Sequence, residues 1–281
     1  MVNQPENQQN WYDEHIAKYS CDRRKNWYSE IADAYHKTRP KYPQKIIDRA
    51  IELAGLPPNA NILEIGCGPG IATVPFAELG FSMLSLEPSQ SACQLARQNC
   101  AAYPSVRIQN LTFEEWELEP EKFNAVLAAT SFHWVAPEIR YQKTAAALQD
   151  KGALILLWNC GVLPCDEVYR VLQEVYQSHA PTLAEYHAKE RDDRGESLKE
   201  IGQSAIDSGL FEDLICEQLV CQITYGIDEY LALLKTYSQY IALEETQRNY
   251  LLSKLREALE TNCTNSIEAS YISALHVAKK I

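Results

Sequence analysis

Short apolar segments alternate with amphipathic ones through the middle of the chain. The apolar segments lie at residues 62–65, 82–86, 106–109, 124–129 and 153–158. Between them, apolar side chains recur at helical spacing in residues 71–79, 90–100 and 139–148. Short apolar runs bounded by turn residues predict buried strands, and their alternation with helices predicts parallel strands joined by right-handed crossovers. We therefore expect a doubly wound α/β sheet with helices on both faces.

The segment before this sheet forms a separate predicted unit. It carries aromatic residues at roughly helical spacing, and Pro40 and Pro43 end it because a residue that precedes proline disfavours the helical conformation. An amphipathic helix at residues 44–54 follows. We expect residues 1–43 to form an N-terminal arm or lid, and residues 44–281 to form the main domain.

After residue 158 the regular alternation ends. Helices are predicted at residues 166–178 and, as one long element, at 227–259, and strands at 214–223 and 271–277. The residues that the strands leave over, about 160–209 and 225–265, are predicted to form mainly helical inserts. We expect these inserts to cap the carboxyl ends of the strands.

A glycine-rich turn follows the first predicted strand. Its pattern is Glu64-x-Gly66-x-Gly68-x-Gly70, and a helix is predicted directly after it. Glycine lets a ligand lie against the main chain, and the start of a helix offers unpaired N–H groups. A dinucleotide-binding fingerprint needs its third glycine at the sixth position of the motif, where this chain has Ile71. The spacing favours a nucleotide ligand other than a dinucleotide.

A second acidic residue supports a ligand that contains ribose. Glu87 ends the second predicted strand, and an acid about 20 residues beyond such a turn accepts hydrogen bonds from ribose hydroxyls. Ser89 also suits the N-cap of the next helix, so that Glu87 and its neighbours have a purely structural interpretation as a helix start. The two interpretations are compatible.

Composition limits the classes of partner. The 281 residues carry a formal net charge of −12, which argues against the basic surface that nucleic acids require. Nine cysteines show no CxxC pair and no Cys/His spacing typical of a metal site, so we predict no metal ion. The sequence contains neither a signal-peptide pattern nor an apolar run that spans a membrane. We expect a reduced cytoplasmic enzyme, monomeric or homodimeric, without nucleic-acid or membrane partners.

Five segments together resemble class I S-adenosylmethionine-dependent methyltransferases, in particular a subgroup similar to trans-aconitate methyltransferase. They are the glycine motif, the YxxxRPxYP pattern from Tyr35 to Pro43, Phe113-Glu114-Glu115-Trp116, Ser131-Phe132-His133-Trp134 and Leu157-Trp158-Asn159. The resemblance covers roughly residues 28–160. It implies a Rossmann-like sheet of seven strands, the last of them antiparallel, and S-adenosylmethionine as cofactor.

The resemblance also implies roles for individual residues in holding the cofactor. The turn of Gly66, Cys67, Gly68 and Gly70 is expected at the methionine part and sugar. Glu64 is expected to bind the ammonium of the cofactor, directly or through water, and Glu87 the ribose. Pro88, Phe113 and Glu114 are expected at the adenine, and Thr130 beside the methionine part. Arg39 is expected to bind the cofactor carboxylate through its guanidinium fork, with Tyr35 sharing that role or packing in the arm. A surface salt bridge is the alternative for Arg39.

The acceptor side has fewer candidates. His133 is the candidate general base, since an imidazole near the methyl group can take a proton from a hydroxyl or amine, although a structural role in the loop is equally open. Trp134 is a candidate acceptor contact or a packing residue, and Thr236 and Ser238 resemble a pocket-lining pair of the subgroup. A carboxylate acceptor needs no base, and the resemblance favours an anionic oxygen.

The sequence thus predicts methyl transfer from S-adenosylmethionine to a small-molecule acceptor, with an oxygen as the methylated atom. Two alternatives stay open. A catalytically silent S-adenosylmethionine-binding protein would keep the glycine turn and Glu87. An NAD-dependent oxidoreductase would share the fold, but Ile71 counts against it.

Overall fold

The computed structural model describes residues 21–193, 195–263 and 266–281. The first 20 residues of the predicted arm lie outside this range. The described chain begins with helices α1 (Cys21–Thr38) and α2 (Gln44–Ala54). Strands β1 (Asn61–Ile65), β2 (Ser82–Leu86), β3 (Val106–Gln109), β4 (Phe123–Ala129) and β5 (Leu148–Asn159) then alternate with helices α3 (Thr73–Glu78), α4 (Gln90–Asn99) and α5 (Pro137–Ala147).

The second half of the chain is richer in helix. It contains β6 (Leu163–Pro164), α6 (Asp166–His179), α7 (Pro181–Asp193), α8 (Ser197–Asp207), β7 (Phe211–Gly226), α9 (Ile227–Leu234), α10 (Ser238–Ile241), α11 (Glu245–Asn262) and β8 (Ser266–Lys280). The single long helix predicted at residues 227–259 is wrong. Three helices occupy that region, and α11 has a new start at which the Glu244 side chain accepts a hydrogen bond from the Gln247 N–H.

The strands form one sheet in the order β3-β2-β1-β4-β5-β8, with β7 on the outer edge of β8. All pairings among β1 to β5 are parallel, whereas β8 runs antiparallel to both β5 and β7. The two-residue β6 pairs with β8 beyond the end of β5. The predicted Rossmann-like sheet of seven strands with an antiparallel last strand is confirmed, and β6 is a short addition to it.

Alternate side chains of the strands feed two apolar layers. Ile62 belongs to the layer that contains α2, and Leu63 belongs to the layer that contains α8. A third cluster joins α6, α7, α9 and α11 to the ends of β7 and β8. Helix α8 lies within the predicted insert at residues 160–209. However, its residues Leu198, Ile201 and Ala205 pack in the same cluster as the sheet residue Phe211. Helix α8 therefore covers the sheet, whereas the other helices of the two inserts belong to the third cluster.

Ser89 is the N-cap of α4, as predicted, because its side chain accepts a hydrogen bond from the Ala92 N–H at 3.2 Å. Among the described residues, no helix has both the length and the apolar character needed to cross a lipid bilayer.

Candidate functional site

A cavity lies at the carboxyl ends of β1, β2, β4 and β5. Eleven of the predicted site residues line it: Tyr35, Arg39, Gly66, Cys67, Gly68, Glu87, Pro88, Phe113, Glu114, Thr130 and Trp134. Five others do not: Glu64, Gly70, His133, Thr236 and Ser238. The described segments before β1 and after β1, β2, β3 and β4 therefore all reach one cavity, although they are far apart in the sequence.

Two glycines of the turn after β1 have different surroundings. Gly66 has a φ of +66°, and a Cβ atom there would lie 2.7 Å from the Cβ of Ser131. Gly68 has a φ of +55°, and a Cβ atom there would meet nothing within 4 Å. Gly66 thus allows the turn to approach the end of β4 closely. Gly68 leaves open space in the wall of the cavity, which a side chain would otherwise occupy.

Glu87 is the buried acid of the cavity. One carboxylate oxygen accepts a hydrogen bond from the Gly68 N–H at 2.8 Å, and the other accepts from the Ser89 N–H at 2.7 Å. Burial raises the pKa of the Glu87 carboxyl to about 7, although both hydrogen bonds act in the opposite direction. Glu87 therefore ties the glycine turn to the end of β2 and presents its remaining lone pairs to the cavity.

Glu64 lies beneath the turn and not at the cavity wall. It is fully buried in β1, where one carboxylate oxygen accepts hydrogen bonds from the hydroxyls of Thr73 (2.7 Å) and Ser85 (2.8 Å). Burial raises the pKa of the Glu64 carboxyl to about 7. Its other oxygen, Oε1, has no hydrogen-bond partner in the described part of the chain. Direct contact between Glu64 and a ligand is not part of this geometry.

The wall opposite the glycine turn is a short turn at residues 112–116. Phe113 is buried, and its ring stacks on that of Trp116 with a centroid distance of 6.0 Å. The Glu114 carboxylate accepts a hydrogen bond from the Ala136 N–H at 3.0 Å. Pro88 lies on the same cavity. These residues offer an apolar slot with a carboxylate at its rim, which suits a flat heterocycle.

Arg39 joins the segment before the sheet to the helical region after it. Its Nε donates to the Thr236 hydroxyl at 2.8 Å and its Nη2 to the Thr236 carbonyl at 2.9 Å. The guanidinium carbon lies 4.9 Å from the ring centroid of Tyr35 and 4.2 Å from that of Tyr237. This places a cation, held by two aromatic rings, at the cavity. Thr236 itself is fully buried, and its hydroxyl also donates to the Leu233 carbonyl.

Two residues that were not among the predicted site residues complete this end of the cavity. The Tyr42 and Thr130 hydroxyls are 2.7 Å apart, and the Asn159 N–H donates to the same Thr130 oxygen at 3.3 Å. The Asn159 side-chain amide donates to the Pro40 carbonyl at 2.9 Å. Thr130 has a φ of +53°, a conformation that is strained for a β-branched residue. Tyr42 belongs to the RPxYP segment and Asn159 to the LWN segment. Both segments were recognised in the sequence, but neither residue was given a role in the site.

His133 is not among the residues that line the cavity. It is part of a 3₁₀ turn, Phe132–Trp134, and its ring centroid is 4.7 Å from that of Trp134 and 5.6 Å from that of Trp158. Trp134 reaches the cavity, whereas His133 does not. Ser238 begins α10, where its hydroxyl donates to the side chain of the adjacent Gln239. His133, Thr236 and Ser238 are all missing from the lining of the cavity.

Comparisons with known proteins agree with this geometry. Residues 62–152 match a family model described as a methyltransferase domain. The uncharacterized methyltransferase Rv3342 of Mycobacterium tuberculosis is 31% identical over 132 residues, which are 47% of this chain and 51% of that protein. The ubiquinone biosynthesis O-methyltransferase of Rhizobium etli is 30% identical over 130 residues, 43% of this chain and 52% of that protein. The chain spans about half the length of these curated relatives.

A solved structure extends the likeness of fold. The putative type II methyltransferase from Anaeromyxobacter dehalogenans superimposes with a TM-score of 0.59 at 19% identity, over 85% of this chain and 97% of that one. Together, the comparisons show a methyltransferase domain at residues 62–152 and a fold similar to that of a solved methyltransferase, and S-adenosylmethionine is the cofactor that the sequence motifs predict. The residues present fit that cofactor, because the open space at Gly68 and the buried Glu87 carboxylate face one cavity.

Proposed function

We propose that this protein transfers the methyl group of S-adenosylmethionine to an oxygen atom of a small-molecule acceptor and releases S-adenosylhomocysteine. The proposal includes membership of the subgroup similar to trans-aconitate methyltransferase. The observation that carries it is the Glu87 carboxylate, held between the N–H groups of Gly68 and Ser89 at the cavity. The two backbone N–H groups do not use the whole acceptor capacity of this carboxylate, and its remaining lone pairs suit the two hydroxyls of a ribose.

The chain's own contribution is to bind and align. We propose that Glu87 accepts hydrogen bonds from the ribose hydroxyls and that the slot between Pro88 and Phe113 holds the adenine. Arg39, at the other end of the cavity, neutralises the carboxylate of the amino-acid part, and Tyr35 and Tyr42 shape the wall around it. The cofactor supplies a methyl group already activated on a sulfonium sulfur. Alignment alone is worth about 7–11 kcal/mol of the barrier to such a displacement.

We propose a carboxylate or another anionic oxygen as the acceptor. Three observations support this. His133 is not among the residues that line the cavity, whereas its neighbour Trp134 is, which supports a reaction without an imidazole base. A carboxylate is ionised at neutral pH and needs no base. The name of the Rhizobium etli relative describes transfer to oxygen.

Two measurements test this function. Calorimetry with S-adenosylhomocysteine and with NAD separates the proposal from the oxidoreductase alternative, since only the former ligand is expected to bind. Turnover of methyl-labelled S-adenosylmethionine against pools of small carboxylic acids, phenols and amines then separates an enzyme from a silent binding protein. Binding without turnover on any pool, or methylation confined to amines, contradicts the proposed reaction.

The pH–rate profile assigns His133. With a carboxylate acceptor we expect a profile without a limb near the pKa of histidine, and a His133→Ala variant only a few-fold slower than the wild type. A limb near that pKa that disappears in His133→Ala, with a rate loss of roughly 10²–10⁴, would instead identify a general base and a hydroxyl acceptor.

Three further expectations remain proposals. Residues 1–43 act as a lid, supported by the hydrogen bonds of the cavity residue Arg39 to Thr236 in the helical region. The helices α6, α7, α9 and α11 form the cap. A reducing, cytoplasmic location is supported by the free thiols of the eight cysteines whose side chains are described. No nucleic-acid partner is proposed, since the net charge is −12.

A further inference from the structure

Lys143 makes an unusual set of contacts behind the adenine wall. It lies on α5, and its ammonium donates hydrogen bonds to the backbone carbonyls of Phe113 (2.8 Å), Glu114 (3.1 Å) and Trp116. An ammonium has three N–H donors, so that these carbonyls use its whole capacity. The nitrogen also lies 5.3 Å from the ring centroid of Phe113 and 5.6 Å from that of Trp116. Burial lowers the pKa of Lys143. All hydrogen bonds of the Lys143 ammonium thus go to the backbone of one turn, residues 112–116.

The other side of the same turn is fixed by its own residues. The Glu115 N–H donates to the Thr112 hydroxyl at 3.1 Å, and the Glu115 carboxylate accepts from the Thr112 N–H at 3.0 Å, a reciprocal pair typical of a helix start. The Thr112–Glu115 pair and Lys143 therefore both hold the same turn. This leaves the peptide groups between them little freedom to rotate.

This arrangement decides which backbone groups the cavity presents. Phe113 and Glu114 both line the cavity, and their carbonyls are turned to Lys143. In the part of the chain that the structure describes, their N–H groups donate to no backbone or side-chain acceptor. The wall therefore offers hydrogen-bond donors, and no carbonyl of these two residues, to a ligand in the slot.

We propose that Lys143 is a positioning residue that makes the turn at residues 112–116 selective for adenine over other purines. The inference rests on the proposed binding of the cofactor in this cavity. The edge of adenine includes N1, a hydrogen-bond acceptor that fits an N–H donor. In hypoxanthine N1 carries a hydrogen, and a donor then faces a donor. Without Lys143 the carbonyls of Phe113 and Glu114 lose their partner, and a rotated peptide that presents a carbonyl to the base is no longer disfavoured.

The test compares two ligands by calorimetry: S-adenosylhomocysteine and its inosine counterpart, in which hypoxanthine replaces adenine. For the wild type we expect a preference for the adenine form of about tenfold or more, since an unsatisfied buried donor is costly. In Lys143→Met this preference should fall to within about threefold. Lys122→Met is the matched control, because Lys122 also lies over an aromatic ring, Phe123 at 5.6 Å, but pairs with the exposed Glu119. It should keep the preference.

The ratio of the two affinities separates positioning from simple support of the fold. A purely structural role of Lys143 would weaken both ligands equally and leave the ratio unchanged, which would overturn the inference, as would a wild type without preference. Should Lys143→Met not fold, Lys143→Gln retains two donors and should show a partial loss of preference, and a full preference in that variant contradicts the proposal. A wild type that binds neither ligand would instead refute the proposed function.

Discussion

The substitution Glu87→Ala tests the proposed ribose site most directly. The carboxylate accepts two backbone hydrogen bonds, and it retains lone pairs toward the cavity. A hydrogen bond to a charged group contributes about 1.5–3 kcal/mol. Loss of the ribose contacts should therefore raise the dissociation constant of S-adenosylhomocysteine about 10- to 100-fold. Because Glu87 also holds the Gly68 N–H, some of this loss comes from a less ordered turn.

The fold should survive this change. Two N–H groups lose their partner, which costs about 1–3 kcal/mol, but the removal of a buried carboxyl offsets part of that cost. Calorimetry with S-adenosylhomocysteine measures the binding, and circular dichroism during thermal unfolding confirms the fold. Glu117→Ala is the control, because Glu117 is an exposed acid near the same cavity wall and should leave the affinity unchanged. A folded Glu87→Ala protein with wild-type affinity would refute the ribose role.

The pH dependence adds a second readout. Burial raises the pKa of Glu87 to about 7, and the ionised form is the better acceptor for hydroxyl groups. Affinity for S-adenosylhomocysteine should therefore increase as the pH rises through about 7, and this increase should be absent in Glu87→Ala. If the pH dependence persists in Glu87→Ala, the titrating group is another one, and Glu64 is the nearest candidate, since its pKa is also about 7.

Three further predictions concern stability and motion. Burial lowers the pKa of His276 to about 4 from its ordinary 6.5, so that the folded state favours the neutral imidazole. The stability that this provides is fully present above pH 6.5 and is lost as the pH falls toward 4. Urea unfolding should show that the free energy of unfolding falls by at most about 3 kcal/mol over that range, and His276→Leu should remove this fall. Burial raises the pKa of Glu64 to about 7 from 4.5. The free energy of unfolding, measured without cofactor, should therefore decline as the pH rises from 4.5 through 7. Glu64→Gln should show a smaller decline in the same assay. Hydrogen exchange in residues 11–43 should slow when S-adenosylhomocysteine binds, since lids come from regions of low local stability, and equal rates with and without ligand would contradict the lid.

Strands β1, β2 and β4 were predictable because burial on both faces gives each of them a mainly apolar run. β2 and β3 have the predicted bounds, and β1 and β4 differ by one residue. Periodicity failed in residues 227–262, where apolar side chains continue at helical spacing through two breaks. The sequence pattern of helix α8 predicts an apolar face, but it does not predict whether the sheet or the cap covers that face.

Motifs predicted the wall of the cavity better than its chemistry. Gly68, Glu87 and Phe113 line it because short turns at the ends of neighbouring parallel strands converge on one edge of the sheet. The place of His133 depends on which way a 3₁₀ turn rotates, and this brings Trp134 to the cavity instead. Lys143 acts from the middle of a helix through backbone carbonyls, and such contacts leave no trace in residue type or spacing.

The position of β8 has a consequence for how the chain reaches this structure. β8 follows every other strand in the sequence, yet it lies inside the sheet between β5 and β7. During synthesis, β5 and β7 both keep an open edge until residues 266–280 have left the ribosome, and open edges invite association with other chains. Ribosome-bound chains that stop before residue 266 should therefore be recognised by chaperones and proteases. This should hold even though the strands around the glycine turn have already been synthesised.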